Sequence, residues 1–269
     1  MTQFMKHITS RQNAIVTRYR DIARGIKDGD QRLLLDGPRL VDQALAAGLT
    51  VRHALVSTDA LERLDVAAIV RRLETIGVEL ASATSAVMDA ASPVQSPSEL
   101  VAITDRPPDS EGRLYASSRP LTIIACDIQN PGNLGAIIRV AEAAGATGVV
   151  AAGACANPFG WKALRGSMGS ALRLPIAAAS SVDQAVSDAR RHGCRIAAAI
   201  PRDGHLMFRA HLTTPLAMLI GGEGSGLPQS LLDSVDEQIT IPMEPPVESL
   251  NVAIAAALLV YEARRQRGH

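Results

Sequence analysis

Apolar residues in this chain fall into short buried runs separated by amphipathic stretches, the rhythm of strands alternating with helices. The spacing is compatible with a helix over residues 10–25, with Ile15, Tyr19 and Ile22 on one side. Leu33-Leu34-Leu35 reads as a buried strand closed by Asp36-Gly37-Pro38. Residues 39–47 then form a helix that turns Leu40, Val41, Ala44 and Leu45 inward before Gly48 stops it. Val51–Ser57, residues 78–81 and residues 100–104 are further strands, with a helix over 60–76 ended by Gly77. Together they predict a small α/β unit over residues 1–104.

The texture changes at Asp105-Arg106-Pro107-Pro108-Asp109-Ser110-Glu111-Gly112, where few residues can pack, so residues 105–120 are expected to be a linker. Leu121–Cys126 is apolar throughout, as a strand covered on both faces must be. A loop from Asp127 to Gly132 leads to Asn133 and a helix over 134–144, stopped by Gly145. Strands at Gly148–Ala152, 174–178, Arg195–Ile200 and 216–220 alternate with helices at 161–172 and 182–192. A glycine-rich turn from Gly221 to Gly226 follows, then a polar helix-like segment, Ile241-Pro242-Met243, and an apolar run opened by Ser249-Leu250-Asn251-Val252. This alternation predicts a parallel sheet covered on both faces over residues 121–269. Ligands of such sheets sit beyond the carboxyl ends of the strands. The Asn130 loop and the Gly221 turn both lie at that end.

Composition narrows the classes. A hydrophobic content of 47% over 269 residues gives a globular chain with a sizeable core, and no apolar run reaches membrane-spanning length. The first ten residues carry no signal-peptide core, and Cys126, Cys155 and Cys194 are scattered, so reduced thiols in the cytosol are expected. The net charge is zero, yet Lys6, Arg11, Arg18, Arg20, Arg24 and Lys27 face only Asp21 in the N-terminal segment. Such a segment is either a solvated helix face or a footprint for a polyanion.

Four places hold candidate chemistry. Asn133 stands where a helix N-cap belongs, and capping alone accounts for it. Arg139 lies in a run of Ala136, Ile137, Ile138, Val140 and Ala141, so it is expected to be at least half-buried and to need an anion. That anion is either Glu142 or Asp127 in the chain, or a phosphate gripped by the guanidinium. The glycine turn lacks a Gly-Lys-Ser/Thr ending and the dinucleotide spacing, and Glu223 occupies the place where a phosphate cradle needs neutral backbone. Its glycines instead suit backbone groups offered to a small ligand at close approach. Ser249 could cap the C-terminal helix, leaving Asn251, a poor helix former, inside the first turn, where its donors and acceptors suit a ligand. The six histidines show no metal-ligand spacing, and no nucleophile signature exists, so neither a metal nor a covalent mechanism is expected.

Three stretches together resemble the signature motifs of the SpoU/TrmH class of RNA ribose 2′-O-methyltransferases, in the SPOUT superfamily. They are Asn130-Pro131-Gly132-Asn133 continuing to Arg139 and Gly145; Leu219-Ile220-Gly221-Gly222-Glu223-Gly224-Ser225-Gly226-Leu227; and Ile241-Pro242-Met243 with Glu248-Ser249-Leu250-Asn251-Val252-Ala253. Gly222 stands where relatives often carry Ala or Asn, and Ala253 where Ser is common. More loosely, Leu35-Asp36-Gly37-Pro38-Arg39-Leu40-Val41 resembles the small α/β substrate-binding domain of rRNA-directed members. The resemblance implies a trefoil-knotted α/β domain binding S-adenosylmethionine, with backbone at Gly221, Ile241 and Leu250 as its holders and Gly222, Met243 and Asn251 beside them. It also implies a homodimer in which motif-one residues complete the partner's site. Arg139 matches the family's catalytic arginine. Glu223 is the other candidate base or a positioning group, and Asn133, Ser249 and Asn251 orient acceptor and cofactor. The implied substrate is RNA, with 23S rRNA favoured over tRNA. A non-catalytic RNA-binding assembly factor on the same fold is the rival, while a nicotinamide oxidoreductase fails on glycine spacing.

Overall fold

The structure is a computed structural model that describes residues 5–25, 31–108, 111–222 and 226–268. Its elements run β1 (Lys6–Ile8), α1 (Ala14–Ala23), β2 (Arg32–Asp36), α2 (Pro38–Ala46), β3 (Val51–Ser57), α3 (Leu64–Thr75) and β4 (Glu79–Ala83). Next come α4 (Ser85–Ala91), β5 (Leu100–Asp105), α5 (Glu111–Leu114), β6 (Leu121–Cys126), α6 (Pro131–Ala143), β7 (Gly148–Ala152) and α7 (Trp161–Ser167). The last are β8 (Ile176–Ala179), α8 (Val182–Arg191), β9 (Arg195–Ile200), β10 (His205–Leu206), β11 (Leu216–Gly221), α9 (Gln229–Leu232), β12 (Glu237–Thr240) and α10 (Val252–Gln266). Two compact units form: residues up to Pro107 with Phe159–Leu172, and Pro108–Pro158 with Arg173–His269.

The first unit holds a five-stranded sheet in the order β1-β4-β3-β5-β2, in which β5 runs antiparallel to β2 and β3. Asn13 caps α1 by accepting the Ile15 N–H at 2.9 Å. The helix buries Val16, Tyr19 and Ile22 and leaves Arg18 and Arg24 exposed. Val16, rather than the half-buried Ile15, completes the inward face. Residues 161–172 are not one helix. Met168 and Gly169 both adopt left-handed backbone, with φ of 51° and 91°, so α7 stops and residues 170–172 make a separate turn.

The second unit is a seven-stranded sheet, β10-β12-β9-β11-β6-β7-β8, with every pairing parallel. The long apolar strands β6, β7 and β11 are buried almost throughout, as continuous apolar runs require. Strand β12 is absent from the hydrophobic pattern because its sequence is Glu-Gln-Ile-Thr. Glu237 is nevertheless buried there, accepting from Arg195 and lying 3.2 Å from His205 Nδ1. Leu114, in the stretch expected to leave little to pack, is buried in this unit's core with Ile124 and Val150. Gly148 makes room for it, since a Cβ there would lie 2.1 Å from Leu114 Cδ2. No helix among the described residues is long and apolar enough to cross a membrane.

The first unit carries a buried polar pair. The Tyr19 hydroxyl lies 2.8 Å from His53 Nδ1 and donates to the His53 carbonyl oxygen at 3.2 Å, while His53 Nε2 has no hydrogen-bond partner among the described residues. Burial lowers the His53 pKa, Glu79 opposes the shift and Arg18 reinforces it. The folded state therefore prefers neutral imidazole, and the unfolded chain binds the extra proton first as pH falls. Stability from this group is complete above the ordinary imidazole value of about 6.5 and is lost below it. Denaturant unfolding followed between about pH 5 and 8 should show a midpoint that falls toward acid, and His53→Gln should flatten that slope.

Candidate active site

The carboxyl ends of β9, β11 and β12, with the segment leading into α10, enclose a cleft of about 930 Å³. Its walls are apolar at Ile220, Leu227, Ile239, Ile241, Met243, Leu250 and Val252, and backbone is bared at Gly221 and Gly222. A smaller cleft of about 250 Å³ adjoins it, lined by Asp127, Ile128, Gln129, Asn130 and Asn133, and sharing Gly222, Gly226 and Val252 with the first.

Close backbone packing makes this geometry. A Cβ on Gly222 would lie 2.5 Å from the Asp127 carbonyl oxygen, and one on Gly221 would lie 3.0 Å from Leu227 Cγ. The Asp127 backbone is left-handed, with φ of 54°. Its side chain accepts the Ala154 N–H at 2.7 Å, which ties the loop after β6 to the loop after β7.

The helix caps fall elsewhere than expected. Asn130, not Asn133, caps α6, accepting the N–H groups of Gly132 at 2.8 Å and Asn133 at 3.2 Å, with Pro131 as first helical residue. This frees Asn133 from capping. Asn251 itself is the cap of α10, accepting from Ala253 at 2.9 Å and Ile254 at 3.3 Å, so it is not inside the first turn and Ser249 is not the cap. The Asn251 side-chain amide also donates to Asn133 Oδ1 at 3.2 Å, joining two stretches 118 residues apart.

Of the remaining candidates, Gly221, Gly222, Ile241, Met243, Ser249 and Leu250 line the larger cleft, and Asn133 lines the smaller. Arg139 is exposed on α6 rather than buried, lines neither cleft, and makes no ion pair with a described residue. Glu142 is engaged by Arg173 at 2.7 Å, and Asp127 by Ala154. Glu223, Gly224 and Ser225, like Lys27 and residues 109–110, lie outside the described residues. The sequence reading missed Arg202, Asp203, Gln229, Gln238 and Glu248, all of which line the larger cleft. The end of β9 at the ligand edge was the available signal for Arg202 and Asp203.

Cys126, at the end of β6, is no nucleophile, because burial pushes its thiol up to about 12. Burial also raises Cys155, whose sulfur accepts from Ile128 N at 3.2 Å and donates to the Ala125 carbonyl at 3.2 Å. Among the described residues no group of three or more His, Cys, Asp or Glu could hold a metal ion. Apolar walls with polar backbone edges suit a flat heterocyclic ligand held by shape and main-chain hydrogen bonds.

Residues 120–261 match the profile of the SpoU rRNA Methylase family. The chain belongs to that family. It is 32% identical over 269 residues, 99% of this chain and 96% of the relative, to an uncharacterized tRNA/rRNA methyltransferase of Synechocystis sp.. It is 30% identical over 261 residues, 97% of this chain and all of the relative, to the 23S rRNA (guanosine(2553)-2′-O)-methyltransferase RlmP of Bacillus subtilis. Among solved structures, the SpoU methyltransferase AviRb of Streptomyces viridochromogenes in complex with AdoMet superposes with a TM-score of 0.84. That match has 28% identity and covers 95% of this chain and 98% of the other. Parts of all three stretches line the two clefts: Asn130 and Asn133 of the first, Gly221, Gly222, Gly226 and Leu227 of the second, and Ile241, Met243, Ser249 and Leu250 of the third.

The Asn133–Asn251 bond can be separated from capping. Asn251→Asp keeps an acceptor for the α10 N-terminus but loses the amide donor, so thermal stability should be nearly unchanged while ligand affinity in the cleft falls. Asn251→Ala should lose both, at a cost of about 1 kcal/mol in stability. Calorimetric melting beside ligand titration checks the split.

Proposed function

We propose that this protein transfers a methyl group from S-adenosylmethionine to a ribose 2′-hydroxyl of RNA, with 23S rRNA as substrate. The observation that carries the reading is the cleft between the Gly221–Gly222 backbone and the Ile241–Leu250 segment, bonded to the first motif through Asn251 and Asn133. Its volume and its apolar, backbone-edged walls fit an adenosine-sized cofactor. When bound, the cofactor supplies an electrophilic methyl group on a sulfonium. In this reading backbone at Gly221, Ile241 and Leu250 holds it, with Gly222 and Met243 packed beside it. Asn133, Ser249 and Asn251 orient the acceptor through their amides and hydroxyl. Glu223 serves as base or as the positioning acid.

Arg139 is assigned to the RNA. A guanidinium is a permanent cation at neutral pH, so it anchors the target phosphate and stabilises charge developing on the 2′-oxygen rather than removing the proton. Its exposure and its absence from both clefts of its own chain support action in a partner's site. The same assembly accounts for Ile254, Leu258 and Tyr261, an apolar stripe on α10 that is 53%, 40% and 49% exposed. We therefore infer a homodimer built on α6 and α10, which already pack together. The strand order, with β11 between β9 and β6, supports a trefoil-knotted chain path. The first unit is assigned to gripping RNA through the basic segment at Lys6, Arg11, Arg18, Arg20 and Arg24, and the second unit to methyl transfer in the cytosol.

Labelled S-adenosylmethionine with purified rRNA should give ribose-methylated 23S RNA, and deletion of the gene should erase one 2′-O-methyl position from total RNA; label in tRNA alone would refute the substrate. Arg139→Ala should abolish turnover and leave S-adenosylhomocysteine affinity nearly intact. Ile254→Glu with Leu258→Glu should give monomers by sedimentation and lose transfer with them.

A further inference from the structure

The larger cleft is nearly free of charge. Among its described lining residues only Arg202, Asp203 and Glu248 are ionisable. Arg202 follows β9 and Glu248 precedes the α10 cap, and their side chains meet at 3.7 Å while remaining 63% and 83% exposed. Such a long, solvated contact contributes little to folding and opens easily. The turn carrying Arg202 is nonetheless held firmly. Asp203 adopts a left-handed φ of 64°, the Gly204 N–H donates to Thr240 Oγ1 at 2.9 Å, and a Cβ on Gly204 would lie 2.8 Å from the Gln238 carbonyl oxygen. A fixed turn therefore presents Arg202 to Glu248 at the rim of the cleft, where Asp203 is the one other ionisable residue among the described lining residues.

We propose that Arg202 and Glu248 form the subsite for the zwitterionic amino-acid end of the cofactor, Arg202 meeting its carboxylate and Glu248 its ammonium. The inference rests on the methyltransferase reading above and adds the residues that recognise the charged end. An amino acid carries both charges on one carbon, so it replaces each member of the pair with a new partner and leaves neither side chain unpaired. Arginine suits a carboxylate through its planar fork of donors. The apolar walls and the bared glycine backbone are left for the adenosine.

The test is calorimetric titration of the full chain with three probes. S-adenosylhomocysteine has the whole amino-acid end, decarboxylated S-adenosylmethionine lacks the carboxylate, and 5′-methylthioadenosine lacks both charges. Arg202→Gln and Glu248→Gln should each weaken S-adenosylhomocysteine about tenfold, the size of one charge-assisted contact, and leave 5′-methylthioadenosine unchanged. Arg202→Gln should not affect the decarboxylated probe, whereas Glu248→Gln should weaken it. Equal losses across the three probes, as a purely structural role predicts, would overturn the assignment, and so would unchanged S-adenosylhomocysteine binding. A wild-type chain that binds none of the probes would instead sink the methyltransferase reading, and this subsite with it.

Discussion

Backbone touching backbone at Gly222 and Asp127 is the constraint on which the candidate site depends. Strands β6 and β11 are sheet neighbours in register to their ends, with Gly221 opposite Cys126. Any side chain at 222 would place a carbon 2.5 Å from the Asp127 carbonyl and drive the two strand ends apart. The left-handed Asp127 is kept in place by its bond to Ala154, and Gly153, with φ of 71°, leaves no Cβ in the path of that carboxylate. The loops after β6 and β7, and Gly222 at the end of β11, are therefore held together by close packing and one hydrogen bond. This is the arrangement expected where binding uses main-chain groups, because such groups must be placed by packing and cannot be repositioned by a rotamer change.

The second link builds on the first. Once the β6 loop is fixed, Pro131 starts α6 and Asn130 caps it, so Asn133 is not needed as the cap. Asn251 caps α10 with its oxygen and spends its nitrogen on Asn133. One side chain thus stabilises a helix start and holds the first and third motifs together. A serine or aspartate would cap as well, so capping preference alone does not select asparagine. The need for a donor and an acceptor on the same side chain does.

Much of this was legible in the sequence. The parallel sheet followed from apolar runs such as Leu121–Cys126, which are read easily because both of their faces are covered. The motifs pointed to Gly221, Gly222, Ile241 and Leu250, which line one cleft. What was not legible has physical causes. Strand β12 hides behind Glu237, whose burial depends on Arg195 and His205 from distant segments. The caps were displaced because a proline favours the first helical turn, a signal in Asn130-Pro131 that outweighs the position of Asn133. Arg139 looked buried because its sequence neighbours are apolar. A helix rotates by about 100° per residue, so neighbours in sequence say little about which face a side chain occupies. Arg202 carried no motif and Glu248 stood in the third motif without an assigned role, and only the meeting of two loops brings them to one rim.

Exposure of Arg139 and of the α10 stripe belongs to one problem. Ile254, Leu258 and Tyr261 favour being covered, since an apolar helix face in water forgoes burial energy. Arg139 lies on α6, the helix packed against α10, and a cation buried without a partner costs more than that stripe can return. A cover that sealed both would be unfavourable. A cover that takes the apolar stripe while turning Arg139 toward water, or toward an anion in a cleft, satisfies both demands. In the homodimer proposed above, a second copy of this chain would provide such a surface, because it offers the same apolar stripe for self-complementary contact. In that proposal the second copy would also bring its own cleft to Arg139, so covering the stripe and furnishing the arginine with an anion would be a single event. Assembly and RNA binding would then be linked through the charge of one side chain, with the apolar contact supplying the free energy and Arg139 deciding its orientation.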